Sequence, residues 1–189
     1  MNAHNRTIST EDGRKICILE AGQPDGVPVL VHKGTPNSRL LYDPWVEDAQ
    51  SRGIRLISYD RPGCGRSTAH RDRTVASAAN DVAAIAKELG LNRLLVWGIS
   101  GGGPHALACA ALLPGLVVAA AVRPPTRPKG WTILLGWGKT ILHRPVLHWK
   151  AERLVSGLWR HRHLSYCAQP QKPLCRLFVQ YCAQLVPRC

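Results

Sequence analysis

One serine, set among glycines where a strand gives way to a helix, constrains the fold of this chain most. Gly98-Ile99-Ser100-Gly101-Gly102 fits the pattern Gly-x-Ser-x-Gly. The apolar run 94–97 before it predicts a buried strand, and the Ala- and Leu-rich segment 104–113 after it predicts a helix. Such a turn needs strained backbone angles and a close approach of helix to strand, which glycine permits and larger residues resist. The sequence therefore predicts a sharp strand–turn–helix with Ser100 at its tip.

Strands alternate with helices through residues 1–122. The turn Glu11-Asp12-Gly13-Arg14 predicts an opening antiparallel hairpin. The later strands are short apolar runs, and the helices carry apolar residues on one face or end at glycine. Strands are predicted at 8–9, 15–20, 27–32, 54–59, 94–97 and 116–122, and helices at 44–51, 75–89 and 104–113. This alternation predicts an α/β domain with a mostly parallel sheet and helices on both faces.

The charge of the chain is concentrated at its C-terminal end. The formal net charge is +13, yet residues 1–122 hold 13 Lys and Arg against 11 Asp and Glu. Residues 123–189 hold 12 against one, have no Asp, Asn or Met, and contain four of the six Trp and four of the seven Cys. We therefore divide the chain into a domain of ordinary composition, 1–122, and a basic tail, 123–189, for which we expect little order. A Pro-rich stretch, Arg123-Pro124-Pro125-Thr126-Arg127-Pro128, opens this tail.

Neither a signal peptide nor a membrane span is expected. Residues 1–10 are polar and lack an apolar core. The uncharged segment 106–122 is divided by Pro114-Gly115, so a helix followed by a buried strand explains it better than a span. Cys17, Cys64 and Cys109 are scattered, which is typical of reduced thiols in a cytoplasmic protein. We therefore expect a cytoplasmic protein.

Three motifs in the first part of the chain resemble those of one enzyme superfamily. The first is His32-Lys33-Gly34-Thr35-Pro36 after the third strand. The second is Tyr59-Asp60-Arg61-Pro62-Gly63-Cys64-Gly65-Arg66-Ser67 after the fourth, and the third is the serine turn with Pro104-His105-Ala106. Each motif alone is weak, but the three together, in this order and at these intervals, resemble the α/β-hydrolase superfamily. The nearest likeness is to its proline-iminopeptidase-like and esterase-like members, and it covers residues 7–122, which implies an incomplete α/β-hydrolase fold.

The resemblance implies a serine hydrolase of ester- or amide-type bonds in a small-molecule acyl substrate. By resemblance Ser100 is the nucleophile, and the backbone N–H groups of Gly101 and Thr35 bind the oxyanion. It implies no metal and no organic cofactor. A simpler interpretation of Ser100 is a helix N-cap. The Asp60 turn is expected to be scaffolding and His105 to pack or be solvated, while Lys33 departs from the His that the family usually has before the glycine.

The remaining triad partners are not evident. A serine hydroxyl needs a base, and the base needs an acid that orients it. In this superfamily both follow the serine, yet Glu152 is the only carboxylate side chain after Ser100. The tail histidines follow no credible strand: His143, His148, His161 and His163. We therefore expect this chain to lack turnover; the alternative is a weak esterase completed by Glu152 and one of these histidines.

The tail composition suggests out-of-frame translation. Trp has the single codon TGG, so in the frame one base earlier Trp131-Thr132 must encode Asp. Starting from the last base of codon 129 and ending two bases into codon 141, the twelve shifted codons can be read as Gly-Leu-Asp-Tyr-Phe-Ala-Gly-Met-Gly-Gln-Asp-Asn. This resembles the acidic segment that leads into the cap helices of such hydrolases. A shifted frame also accounts for the excess of Arg, Pro, Trp, Cys and His.

One further interpretation of the tail remains open, besides a degenerate product without function: a basic module that binds nucleic acid or acidic lipid. A basic binding module could stack nucleic-acid bases on its aromatic residues and contact phosphates, using Trp149, Trp159, His161, Arg162 and Tyr166. Such a nucleic-acid partner is the less favoured interpretation. The four tail cysteines, Cys167, Cys175, Cys182 and Cys189, are spaced too widely for a zinc knuckle.

If the domain ends at 122, its last apolar strand would be an exposed sheet edge.

Overall fold

A computed structural model describes residues 3–123 and 133–136 of the chain. Seven strands form one sheet in the order β1-β2-β4-β3-β5-β6-β7. The strands are β1 (His4–Ser9), β2 (Lys15–Gly22), β3 (Val27–His32), β4 (Ile54–Tyr59), β5 (Leu94–Ile99), β6 (Val117–Arg123) and β7 (Ile133–Gly136). The helices are α1 (Asp43–Ser51), α2 (Ser77–Glu88) and α3 (Gly103–Leu112), with a short 3-10 turn, Ser100–Gly102, before α3.

The strand directions confirm the mostly parallel sheet. β4, β3, β5 and β6 run parallel to one another. β2 is antiparallel to both β1 and β4, and β7 is antiparallel to β6. The β1–β2 hairpin turns at Gly13, whose φ of 79° lies in the left-handed region that glycine tolerates best.

Both faces of the sheet are covered by helices, as the alternating sequence predicts. Successive residues of a strand point to opposite faces, so Leu30 joins one apolar cluster while Val29 and Val31 join the other. The Leu30 cluster contains the apolar faces of α2 and α3, including Val82 and Cys109, and the Val29 cluster contains α1 residues. A strand that is buried on both faces has apolar residues along most of its length, and this pattern predicts the strand at 27–32 from the sequence.

The order of the central strands creates a crevice at one edge of the sheet. β3 lies between β4 and β5. The chain therefore leaves β3 towards one neighbour through α1 and later returns to its other side through α2. In open α/β sheets, ligands bind at the carboxyl ends of the strands where the strand order reverses in this way. The loops after His32 and after Ile99 meet at this point, because His32 pairs with Gly98 in the sheet.

The end of the described sheet differs from expectation. Ala119–Val122 of β6 would form an exposed edge if the domain ended at 122. Instead they pair with Ile133–Gly136 of β7. The sequence signal was weak, since four apolar or small residues after a Pro-rich stretch fit a strand and a helix equally. The proposed boundary at 122/123 stays a prediction, because 124–132 and 137–189 lie outside the described residues. In the described part, no helix has both the length and the apolar character that a membrane crossing requires.

Candidate active site

Ser100 occupies a strained position between β5 and α3. Its φ is 51°, the only positive value for a non-glycine residue in the described part of the chain. The left-handed conformation costs an L-residue about 1–2 kcal/mol, so the surrounding structure must impose it. Ile99 before it is extended, and the residues after it enter a helical turn at once. The backbone therefore reverses direction at Ser100 and leaves its half-buried side chain at the carboxyl end of β5.

The glycines around Ser100 allow the helix to approach the sheet closely. A Cβ added to Gly98 would lie 2.7 Å from Gly103 Cα and 2.9 Å from Ala106 Cβ. A Cβ on Gly102 would overlap the carbonyl oxygen of His32 at the end of β3. These close approaches explain why the turn requires glycine, as the sequence predicts. The glycines tie the serine turn to β3 as well as to its own helix.

The loop after β3 lies against the serine turn. A Cβ on Gly34 would lie 3.4 Å from Ser100 Cβ. A Cβ on Gly101 would lie 2.6 Å from Thr35 Oγ1 and 3.3 Å from Thr35 N. Ser100, Gly101 and Thr35, the three site residues suggested by the sequence, therefore come together. Thr35 is exposed, and its peptide bond to Pro36 is cis.

Arg61, directly after β4, connects this loop to the serine turn. Its Nη1 donates to Lys33 O at 2.9 Å and, at the outer limit of a hydrogen bond, to Gly101 O at 3.5 Å. Its Nη2 donates to Gly34 O at 3.2 Å and to Thr35 Oγ1 at 2.9 Å. Burial lowers the pKa of the guanidinium, but an arginine stays protonated in proteins. One buried cation thus binds both segments that carry the candidate oxyanion donors.

Asp60 fixes the turn after β4. Its fully buried carboxylate accepts hydrogen bonds from Arg39 N at 2.7 Å, Arg39 Nη1 at 2.7 Å and Arg66 N at 3.0 Å. A side chain on Gly65, whose φ is 53°, would overlap this carboxylate. Asp60 therefore holds the segment after the Thr35 loop and the 60–67 turn in place, in keeping with a scaffolding role.

One buried and one half-buried imidazole, those of His32 and His105, lie near the site and are neutral. His32 is fully buried, with Nδ1 3.2 Å from Tyr59 Oη and Nε2 3.5 Å from Cys109 Sγ. Burial lowers the pKa of His32 to about 3 and that of His105 to about 4. The two rings stack with centroids 6.2 Å apart. His105 Nδ1 is buried and unpaired within the described residues, and no hydrogen bond there joins His105 to Ser100.

Lys33 occupies the position that departs from the superfamily pattern. Its Nζ lies 4.7 Å from the centre of the Trp45 ring, and Trp45 packs against Trp97 with centroids 5.0 Å apart. Burial lowers the pKa of this amine. A cation over an indole face is a favourable contact. The lysine is therefore accommodated by α1 without disturbing its carbonyl, which Arg61 holds.

The predicted triad partners cannot be placed. Glu152 lies outside the described residues, as do the four histidines of the alternative triad: His143, His148, His161 and His163. The tail cysteines and the aromatic and basic residues of the binding-module interpretation lie outside them as well. In residues 3–123 and 133–136, no histidine forms a hydrogen bond with Ser100, and no three His, Cys, Asp or Glu side chains are grouped as metal ligands.

Sequence reasoning missed Arg61. It was treated only as part of a turn motif. The available signal was its place two residues after the end of a predicted buried strand and next to Asp60, where a charged side chain needs partners. What it contacts could not be known before the three loops were placed together.

Comparisons with known proteins agree with this geometry. Residues 27–136 match the family described as alpha/beta hydrolase fold. A non-heme chloroperoxidase from Streptomyces lividans is 38% identical over 61% of this chain and 43% of its own length. A proline iminopeptidase from Neisseria meningitidis serogroup A is 30% identical over 64% of this chain and 39% of its own length. The chain thus spans about two fifths of the length of these curated relatives.

Solved structures show the same fold. The epoxide hydrolase CorEH superposes with a TM-score of 0.58 at 21% identity, covering 64% of this chain and 42% of that one. A putative aryl esterase from Burkholderia cenocepacia superposes with a TM-score of 0.54 at 28% identity, covering 63% of this chain and 46% of that one. The sheet order, the serine turn and the family match over more than half of the sequence lead to one conclusion. The chain belongs to the alpha/beta hydrolase fold family.

Proposed function

We propose that Ser100 is the nucleophile of an acyl-transfer site for a small-molecule ester or amide. The observation that carries this proposal is the left-handed Ser100 at the carboxyl end of β5, with Gly101 packed against Thr35. Strained non-glycine residues persist where the surrounding structure imposes them, and they cluster at functional sites. A helix N-cap alone does not require a positive φ, since N-cap residues are ordinarily extended.

The backbone N–H groups of Gly101 and Thr35 are the proposed oxyanion donors. When Ser100 Oγ attacks an acyl carbon, the carbonyl oxygen gains negative charge. Each preorganised donor aimed at that oxygen stabilises the transition state by roughly 3 kcal/mol. The closeness of Gly101 to Thr35 supports a shared oxyanion, because both donors must point to one oxygen.

We further propose that the 189-residue chain does not complete this reaction efficiently by itself. Within the described residues no histidine forms a hydrogen bond with Ser100, and His32 is bound to Tyr59 and Cys109 instead. After Ser100 the sequence offers one carboxylate side chain, Glu152. Loss of triad partners lowers the rate by about 10⁴- to 10⁶-fold. The cytoplasm is the proposed compartment, and the lack of a disulfide among the cysteines of the described residues, Cys17, Cys64 and Cys109, supports it.

Hydrolysis of p-nitrophenyl acetate, with and without imidazole, tests both parts of the proposal. Imidazole supplies a base in solution: it takes the Ser100 proton as Oγ attacks, and p-nitrophenolate leaves the acyl-serine. Water then attacks this ester and releases acetate. Without imidazole, wild type and Ser100→Ala should release nitrophenolate at equal rates. With imidazole, wild type should exceed Ser100→Ala by an amount that rises with imidazole concentration.

Ser51→Ala is the matched control, because Ser51 lies exposed at the end of α1, and its rate should equal that of wild type. A Ser100-dependent rate without imidazole would mean that residues 123–189 supply a base, as in the weak-esterase alternative. No Ser100-dependent rate at any imidazole concentration would refute the nucleophile assignment.

A further inference from the structure

We infer that Arg61 is a positioning residue that orients the Thr35 N–H towards the oxyanion; this rests on the acyl-transfer function proposed above. Arg61 is 4% exposed, yet in residues 3–123 and 133–136 no carboxylate comes within 4 Å of its guanidinium. Its acceptors are instead three backbone carbonyls and one hydroxyl, drawn from 33–35 and Gly101. A desolvated cation without a counter-ion is costly, so its position calls for a function.

The geometry of the peptide unit gives that function. The carbonyl of Gly34 and the N–H of Thr35 belong to the same planar trans peptide, and they point in opposite directions. Arg61 Nη2 donates to Gly34 O at 3.2 Å from the buried side. The Thr35 N–H must then point away from the Arg61 guanidinium. Arg61 thus sets the direction of the donor without touching a substrate.

The charge of Arg61 also strengthens this donor. Hydrogen bonds from a cation are about twice as strong as neutral ones, and hydrogen bonds in series polarise one another. A guanidinium at the Gly34 carbonyl therefore makes the Thr35 N–H more acidic. A neutral side chain of the same size would fill the space and lack this effect.

A second donor limits how much Arg61 contributes. Asn37 N also donates to Gly34 O, at 2.9 Å, across the turn. The peptide therefore keeps one anchor when Arg61 is changed, and the loop should stay folded. We expect Arg61→Met to lower the imidazole-dependent, Ser100-dependent rate constant about tenfold, less than the 10²- to 10³-fold that follows loss of an oxyanion donor itself. The KM for the ester should change less than about twofold, because uniform binding is untouched.

The test compares Arg61→Met, Arg61→Lys and Arg61→Ala with Arg93→Met, an exposed arginine before β5. Arg61→Lys keeps the charge but not the planar fork, so its rate should lie between wild type and Arg61→Met. Millimolar guanidinium chloride should restore part of the rate of Arg61→Ala, whereas sodium chloride should not. Arg93→Met should equal wild type.

Amide NMR of the same variants separates this inference from the function on which it rests. In Arg61→Met the Thr35 amide resonance should shift while those of the paired β3 and β5 residues stay in place. An unshifted Thr35 amide, or shifts spread through the sheet, would overturn the positioning role. If wild type shows no Ser100-dependent rate, the acyl-transfer proposal fails, and the NMR result still decides whether Arg61 orients this peptide.

Discussion

Gly102 lies so close to the carbonyl oxygen of His32 that no side chain fits between them. We expect Gly102→Ala to lower the free energy of unfolding by about 3 kcal/mol, because the added Cβ forces β3 and the serine turn apart. Urea denaturation measures this change. Gly115→Ala is the control: a Cβ there meets nothing within 4 Å, and its φ is not positive. Equal stability of the two variants would contradict the close packing of the turn on β3.

Ser100→Gly should be more stable than wild type. Glycine adopts a φ of 51° without the steric cost that serine bears, so we expect a gain of about 1 kcal/mol in the free energy of unfolding. The same substitution at Ser51, the last residue of α1, relieves no strain and should lose a few tenths of a kcal/mol, because glycine is a poorer helix former than serine. A shift of Ser100→Gly to lower denaturant midpoints would show that the turn is not strained.

Stability should fall as the solution becomes acidic. Burial holds the pKa of His32 at about 3 and that of His105 at about 4, below the ordinary 6.5. The unfolded chain therefore binds protons below pH 6.5 that the folded chain does not. This contribution is complete above pH 6.5 and is lost as the pH falls towards 4 and then 3, at about 1 kcal/mol per pH unit for each histidine. Urea midpoints between pH 7 and 4 measure it.

His105→Gln removes one of these two titrating groups. The fall in stability between pH 6 and 4 should then be roughly half as steep as in wild type, because His32 remains. An unchanged slope would mean that His105 is protonated in the folded protein.

The nucleotide sequence checks the out-of-frame hypothesis for the tail. The frame that starts with the last base of codon 129 should stay open and encode Gly-Leu-Asp-Tyr-Phe-Ala-Gly-Met-Gly-Gln-Asp-Asn. It should then encode a carboxylate and a histidine downstream. A stop codon soon after this segment, or the lack of either residue, would exclude the hypothesis and return the tail to the binding-module or degenerate-product alternatives.

The strands and helices near the site were predictable because their signals are local. Val27–His32 and Ile54–Tyr59 match the predicted ranges, since buried parallel strands are continuous apolar runs bounded by turn residues. The serine turn was predictable because larger residues than glycine around Ser100 would prevent the helix from approaching the sheet. Boundaries moved by one or two residues in most other elements, as with α2, which begins at Ser77 rather than Val75, but β1 begins at His4, four residues before the predicted start.

The contacts of Arg61 and the pairing of β7 were not predictable. Arg61 binds residues that lie 26 to 40 positions away, and such contacts depend on the tertiary fold. β7 is four residues long, which is too short for a periodic signal to separate strand from helix. In both cases the missing information was which distant segments would become neighbours.

The central place of β3 in the sheet has a consequence for how this protein can change over evolution. The serine and the Thr35 loop leave from the adjacent strands β5 and β3, and both neighbours of β3, β4 and β5, lie within residues 27–103. Substitutions or rearrangements further along the chain can alter which groups approach the hydroxyl, but they leave its location unchanged. The architecture thus separates the placement of Ser100, the proposed nucleophile, from the groups that would activate it, and each can be gained or lost independently.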